Sequence, residues 1–206
     1  MQVSIRDILP QLTQGASRFN DRRVVESIVS VQKPNDVWEM DIMYVYIHGE
    51  NRTAYLFAII DCYTREDVGK YIGYHCSSQK VKMAIDFAFL DRGIMQIKNV
   101  RIRSDNGTQF VSRIVELFLS SCNIAHERIH PATPKEDAHI ESFNSILEKE
   151  VIRRFEFSSF EDAENTISRF IAFYNNERLH SAMIFFRRSF SFLSFRRPGS
   201  IDPDRI

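Results

Sequence analysis

"VRIRSDNGTQF", residues 100–110, alternates apolar and basic side chains as far as Ser104 and then breaks into Asp-Asn-Gly. The alternation is that of a strand with one buried face. Asp and Asn tolerate left-handed backbone and Gly supplies positive φ, so Asp105 to Gly107 is an ordinary way to leave a strand. Taken alone, Asp105 makes a turn. Whether its carboxylate has a second use depends on what the neighbouring segments bring to it.

Upstream, "VWEMDIMYVYI" (37–47), "RTAYLFAIIDCYT" (52–64) and "VGKYIGYHC" (68–76) are β-rich runs joined by "HGEN" and "RED", short enough for an antiparallel meander. The period then changes. Val81, Ala84, Ile85, Ala88 and Phe89 share one helical face behind the cap candidates Ser77 and Ser78, and Gly93 is the stop. After the strand that ends at Asp105, Phe110, Ile114, Phe118 and Cys122 predict a second helix, and "NIAHERI" (123–129) a fifth strand. Beyond "HPATPKED", one helix carries Ile140, Phe143, Leu147 and Val151. The next opens with a capping box, Ser158 and Glu161, and buries Phe160, Ala163, Ile167, Phe170 and Tyr174. The order βββαβαβ requires an α/β domain with a five-stranded mixed sheet flanked by helices, because helical crossovers return the chain parallel.

Three carboxylates stand out in that frame. Asp41 shares a strand face with Met43, Val45 and Ile47, and both faces of its strand read as buried, so it needs a partner, hydrogen bonds or a cation. The strand ending at Asp105 should pair beside the first, which brings its carboxyl end to Asp41. Two acids that close repel unless a divalent ion neutralises them, and oxygen-only ligands point to magnesium or manganese. Glu141 lies at the margin of a buried helical stripe, with Asn144 and Glu148 on the same flank.

Composition narrows the setting. Lys and Arg number 27 and Asp and Glu 27, so any contact with a polyanion must be local. Three unpaired cysteines, no apolar run of transmembrane length and no signal-peptide pattern at "MQVSIRDILPQL" predict a soluble cytoplasmic protein.

"VWEMDIMYV", "RIRSDNGTQF" and "AHIESFNSILEKE" resemble the three catalytic motifs of the integrase core of bacterial insertion-sequence transposases and retroviral integrases, within the ribonuclease H-like superfamily. Thirty-five residues separate Asp105 from Glu141, the spacing of that family, and "YNNERLHSA" (174–182) resembles its close in the insertion-sequence branch. The resemblance runs from Pro34 to Ala182. It implies a ribonuclease H-like core over 34–183 whose Asp41, Asp105 and Glu141 bind two Mg2+ or Mn2+ ions for phosphodiester cleavage and strand transfer. It also implies DNA as partner, both element ends and target, with Asn144 and Lys149 as contacts, a homo-oligomer, and no membrane or small-molecule cofactor.

Other candidates carry less. Asp61 reads as a strand-end turn, His180 as structural or DNA-facing, and Cys122, His126 and His130 as too dispersed over helix, strand and loop for zinc. Position 148 is Glu where many relatives place Lys or Arg, and Lys149 lies about 100° further round a helix. Residues 1–33 read as an N-terminal extension too short for a DNA-reading domain. Residues 184–206 read as an aberrant, frameshifted tail, since one choice of codons for 187–190 yields Ser-Pro-Glu-Phe, a family-like ending, in another frame. An inactive fragment that binds DNA or multimerises is the alternative expectation.

Overall fold

The computed structural model describes residues 31–93, 100–129 and 138–178, so the expectations for residues 1–30, for His130 and His180, and for the 184–206 tail lie outside the described residues. Among the described residues there are five strands: β1 (Val37–Ile47), β2 (Arg52–Asp61), β3 (Asp67–Gly73), β4 (Arg101–Ser104) and β5 (Ala125–Arg128). Four helices accompany them: α1 (Ser78–Asp91), α2 (Arg113–Ser121), α3 (Ala138–Leu147) and α4 (Phe160–Phe173). The sheet order is β3-β2-β1-β4-β5, antiparallel from β3 to β1 and parallel from β1 to β5. This is the mixed five-stranded sheet with flanking helices expected above.

The strands pack on both faces, and successive side chains divide between two cores. Trp38, Met40, Phe57 and Ile59 meet α1 and α2 through Val81, Ile85, Phe89 and Leu119. Val45, Ile47, Leu56 and Ile60 meet α3 and α4 through Ile140, Phe143, Leu147, Ile167 and Phe170. β2 is therefore apolar without alternation from Leu56 to Ile60. The far half of β1 departs from expectation: Tyr44 is 67% and Tyr46 43% exposed, because the strand runs on beyond the helices of that face, and the Tyr46 hydroxyl bonds Asn51.

Two helical details also differ. α2 starts only at Arg113, capped by Ser112 accepting from the Val115 N–H. Phe110 thus precedes the helix, Val115 and Leu119 form its buried stripe, Ile114 is 45% exposed, and Cys122 is the C-cap. At α4 the capping residue is Ser159, which accepts from the Asp162 N–H at 3.1 Å, while the Asp162 carboxylate takes the Ser158 N–H and hydroxyl. The box exists one residue later than expected. Glu161 has no part in it.

Gly49, in the β1–β2 turn, donates its N–H to the Phe157 carbonyl, and a Cβ there would sit 1.9 Å from the Ser158 carbonyl oxygen. Glycine lets the turn lie directly against the backbone leading into α4. Tyr174 packs edge-on to Phe143 of α3 at 5.0 Å, and the Asn175 side chain brackets the backbone of Asp67, accepting from its N–H at 3.0 Å and donating to its carbonyl at 2.8 Å. The start of the "YNNERLHSA" stretch thus ties α4 to α3 and to the edge strand β3.

Candidate active site

The parallel β1–β4 ladder ends at the pair Met40–Ser104, so Asp41 and Asp105 are each the next residue on neighbouring strands. Asp41 is half-buried on the face that meets α3. Its Oδ2 accepts from Asn144 Nδ2 at 2.8 Å, and its Oδ1 lies 2.7 Å from the Ile42 N–H. Asn144 therefore directs its amide at Asp41, and its Oδ1 is buried without a hydrogen-bond partner.

Asp105 is exposed just past β4. Its Oδ1 accepts from the Gly107 N–H at 2.8 Å, closing an Asx-type turn, and Asn106 Nδ2 donates to the Ile129 carbonyl at 3.2 Å. A Cβ on Gly107 would meet Asp105 Oδ1 at 2.9 Å, so this approach suits glycine. Glu141 is exposed in the first turn of α3, where a carboxylate is favoured by the helix dipole. It stands three residues before Asn144, hence on the same flank. Among the described residues, neither Asp105 nor Glu141 enters an ion pair.

Among the described residues, the group of three potential ligands with all ligand atoms within 4.8 Å of one another is a different one: Glu39, Cys62 and His139. Asp41, Asp105 and Glu141 are not drawn that close. Glu39 lies two residues before Asp41 on the same strand face and is fully buried. Its Oε2 accepts from the backbone N–H groups of His139 and Ile140, at 3.0 and 2.9 Å, and its Oε1 lies 3.0 Å from His139 Nδ1 and 3.4 Å from Arg103 Nη1. Burial raises its pKa, opposed by the Ile140 N–H, the Cys62 thiol and the Arg103 guanidinium. Arg103 in turn reaches Glu127 Oε2 at 3.0 Å, so a charged row Glu39–Arg103–Glu127 crosses β1, β4 and β5. With N–H donors and a guanidinium directed at Glu39, the cluster is a hydrogen-bonded support under α3. The signal in sequence was a second acid on a strand whose faces read as buried, and Glu39 meets the criterion that singled out Asp41.

Integrase core domain models match residues 31–134 and 122–184. The chain belongs to the integrase core domain family. This integrase core is 30% identical over 157 residues to an insertion element IS476 protein of 39.2 kDa from Xanthomonas euvesicatoria, covering 76% of the chain and 44% of that protein. To the transposase for insertion sequence element IS904 of Lactococcus lactis it is 26% identical over 173 residues, covering 82% and 66%. The chain thus spans less than two thirds of the length of the first and about two thirds of the second. Its fold is shared with the HTLV-2 integrase catalytic core domain, solved in complex with magnesium in a trimeric form. The TM-score is 0.51 at 19% identity, over 70% of this chain and 87% of that one.

Other residues of the integrase core take structural places. Asp61 accepts the N–H groups of Asn35, Tyr63 and Thr64, as a strand-end turn should. His126 Nε2 lies 2.9 Å from Ser104 Oγ, and burial holds its pKa down at about 4. From Glu148 to Ile152 the α-helix gives way to a π turn, so the bearing of the exposed Lys149 is not the α-helical one. Glu148 pairs with Arg153 at 3.0 Å. No helix among the described residues is long and apolar enough to cross a membrane.

Proposed function

We propose that this chain is the catalytic core of a transposase-type polynucleotidyl transferase, acting on DNA as a multimer, with Asp41, Asp105 and Glu141 as its catalytic acids. The observation that carries the reading is the meeting of β1 and β4 at adjacent residues, Asp41 and Asp105, under the helix that bears Glu141 and is bonded to Asp41 through Asn144. Three oxygen-only donors, two of them exposed and outside any ion pair among the described residues, fit Mg2+ or Mn2+. When bound, two such ions would supply an activated attacking oxygen and a stabilised leaving oxygen for in-line displacement at phosphorus.

The chain's own residues supply placement. Asn144 and the Ile42 N–H fix the direction of the Asp41 carboxylate. The Gly107 N–H holds one oxygen of the exposed Asp105 carboxylate in the loop turn. Lys149, exposed about two helical turns beyond Glu141, is the phosphate contact, whereas Asn144 acts through Asp41 and not on DNA. No covalent intermediate on the protein is required.

A disintegration assay on labelled branched DNA with Mn2+ tests this, comparing wild type with Glu141→Gln and Asp41→Asn. Product is expected from wild type and none from either variant. In parallel, titrating Mg2+ or Mn2+ should raise the melting temperature of wild type and not of Asp41→Asn or Asp105→Asn, since a ligand bound only by the folded state stabilises it. Equal rises in all three proteins would overturn the ligand assignment, and absent product with a normal metal response would favour an inactive core.

A further inference from the structure

Every element that carries a proposed catalytic acid is tied to one buried side chain. Glu39 lies on β1 two residues before Asp41, its ladder partner Arg103 lies on β4 two residues before Asp105, and it accepts the N–H groups of His139 and Ile140, the residues immediately before Glu141. The first N–H groups of an α-helix have no partner within the helix, and they normally find one in a side chain just upstream. Here the acceptor comes from a residue a hundred positions earlier. Resting on the reading above, we propose that Glu39 is a positioning residue that sets the depth and rotation of α3 against β1, and with them the placement of Glu141 relative to Asp41 and Asp105.

The geometry makes the clamp specific. One carboxylate oxygen takes two successive backbone N–H groups, which fixes both how far the helix start sits from the strand and which residue follows it. The other oxygen is shared between His139 Nδ1 and Arg103, so the carboxylate cannot rotate without losing partners on both β4 and α3. The Cys62 thiol, just past β2, lies within 4.8 Å of the same carboxylate. A hydrophobic contact could hold α3 close but not fix its register, and the stripe of Ile140, Phe143 and Leu147 already supplies the attraction. What Glu39 adds is angle and depth.

The test compares Glu39→Ala and Glu39→Gln with wild type, using amide hydrogen exchange and the disintegration assay. In Glu39→Ala, exchange at the His139 and Ile140 amides is expected to accelerate at least tenfold while β1 and β2 amides keep their protection. This readout does not depend on activity, so it stands even if the wild-type chain makes no product. Where product forms, kcat should fall by about 10²-fold with the KM for DNA little changed, the pattern of reacting groups displaced without loss of binding. Glu39→Gln keeps one acceptor oxygen for the helix N–H groups and should recover most of that loss. Unchanged exchange at the α3 start in a folded Glu39→Ala protein would overturn the proposal. So would unfolding of both variants, which would make Glu39 a general requirement of the fold, or a rise in KM alone.

Discussion

A carboxylate in the middle of a strand is held in one orientation only by what donates to it. Asn144 gives Asp41 that donor from the helix opposite, at 2.8 Å, while its own Oδ1 is buried and unpartnered. Half of the amide is thus desolvated without return, a cost of about 1–3 kcal/mol. Asn144→Ala should therefore change stability by no more than about 1 kcal/mol, since the orphaned oxygen leaves with the lost bond. Activity should drop by about tenfold or more. Urea unfolding beside the disintegration assay would show it, and a large stability loss at unchanged activity would contradict the assignment. Asp41 was conspicuous as a charge at an apolar position, Glu141 as an acid at the margin of a buried helical stripe, and Asp105 through the expected pairing of its strand beside β1, a pairing the structure has. Glu39 meets the same criterion, an acid on a strand whose faces read as buried, but its role was not legible, because the N–H groups it accepts belong to residues a hundred positions away. The partner of Asn144 was hidden for the same reason.

The elements were legible to the extent that their patterns are local. β1 occupies the full run 37–47, and α1 buries the five residues its period indicates, because each pattern is long and uninterrupted. α2 is nine residues, and Phe110, lying just outside it, supplied a false start to the stripe. Whether Phe110 is helical is decided by the turn at Gly107, whose carbonyl takes the Phe110 and Val111 N–H groups, and by the Ser112 cap. The true register makes a direct prediction. Leu119→Ala removes a 1% exposed side chain from the α1–α2 core and should cost about 2–5 kcal/mol. Ile114→Ala, at a 45% exposed site, should cost within about 0.5 kcal/mol. Chemical denaturation of the two variants separates the registers, for the order would reverse if Ile114 faced the core. The one-residue shift at α4 has a similar origin: Ser158 and Ser159 are both competent caps, and the position of the preceding backbone against Gly49 selects the second.

Across the molecule, two buried titratable groups on opposite edges of the sheet pull stability in opposite directions with pH. Asp67 opens β3, is 7% exposed, and has an Oδ2 without a hydrogen-bond partner. Burial lifts its pKa to about 7, with Lys70 and Arg92 offsetting only part. The unfolded chain ionises Asp near 3.8, so between those values the folded state holds a proton that the unfolded state has lost. The contribution of Asp67 is therefore fully present below pH 3.8 and lost as pH rises through 7. His126 on β5 does the reverse: its folded pKa of about 4 lies below the ordinary 6.5, so its contribution is present above pH 6.5 and lost as pH falls through 4. From about pH 4 to 6.5 the two slopes cancel, and the wild-type profile conceals both. Asp67→Asn uncovers them. The variant and wild type should have similar stability near pH 4, and the variant should gain steadily up to pH 7, by on the order of 4 kcal/mol, then hold that lead. Urea unfolding at pH 4.5, 6 and 7.5 measures the difference, and a gap independent of pH would show that Asp67 is ionised in the folded protein and that Lys70 and Arg92 prevail over burial.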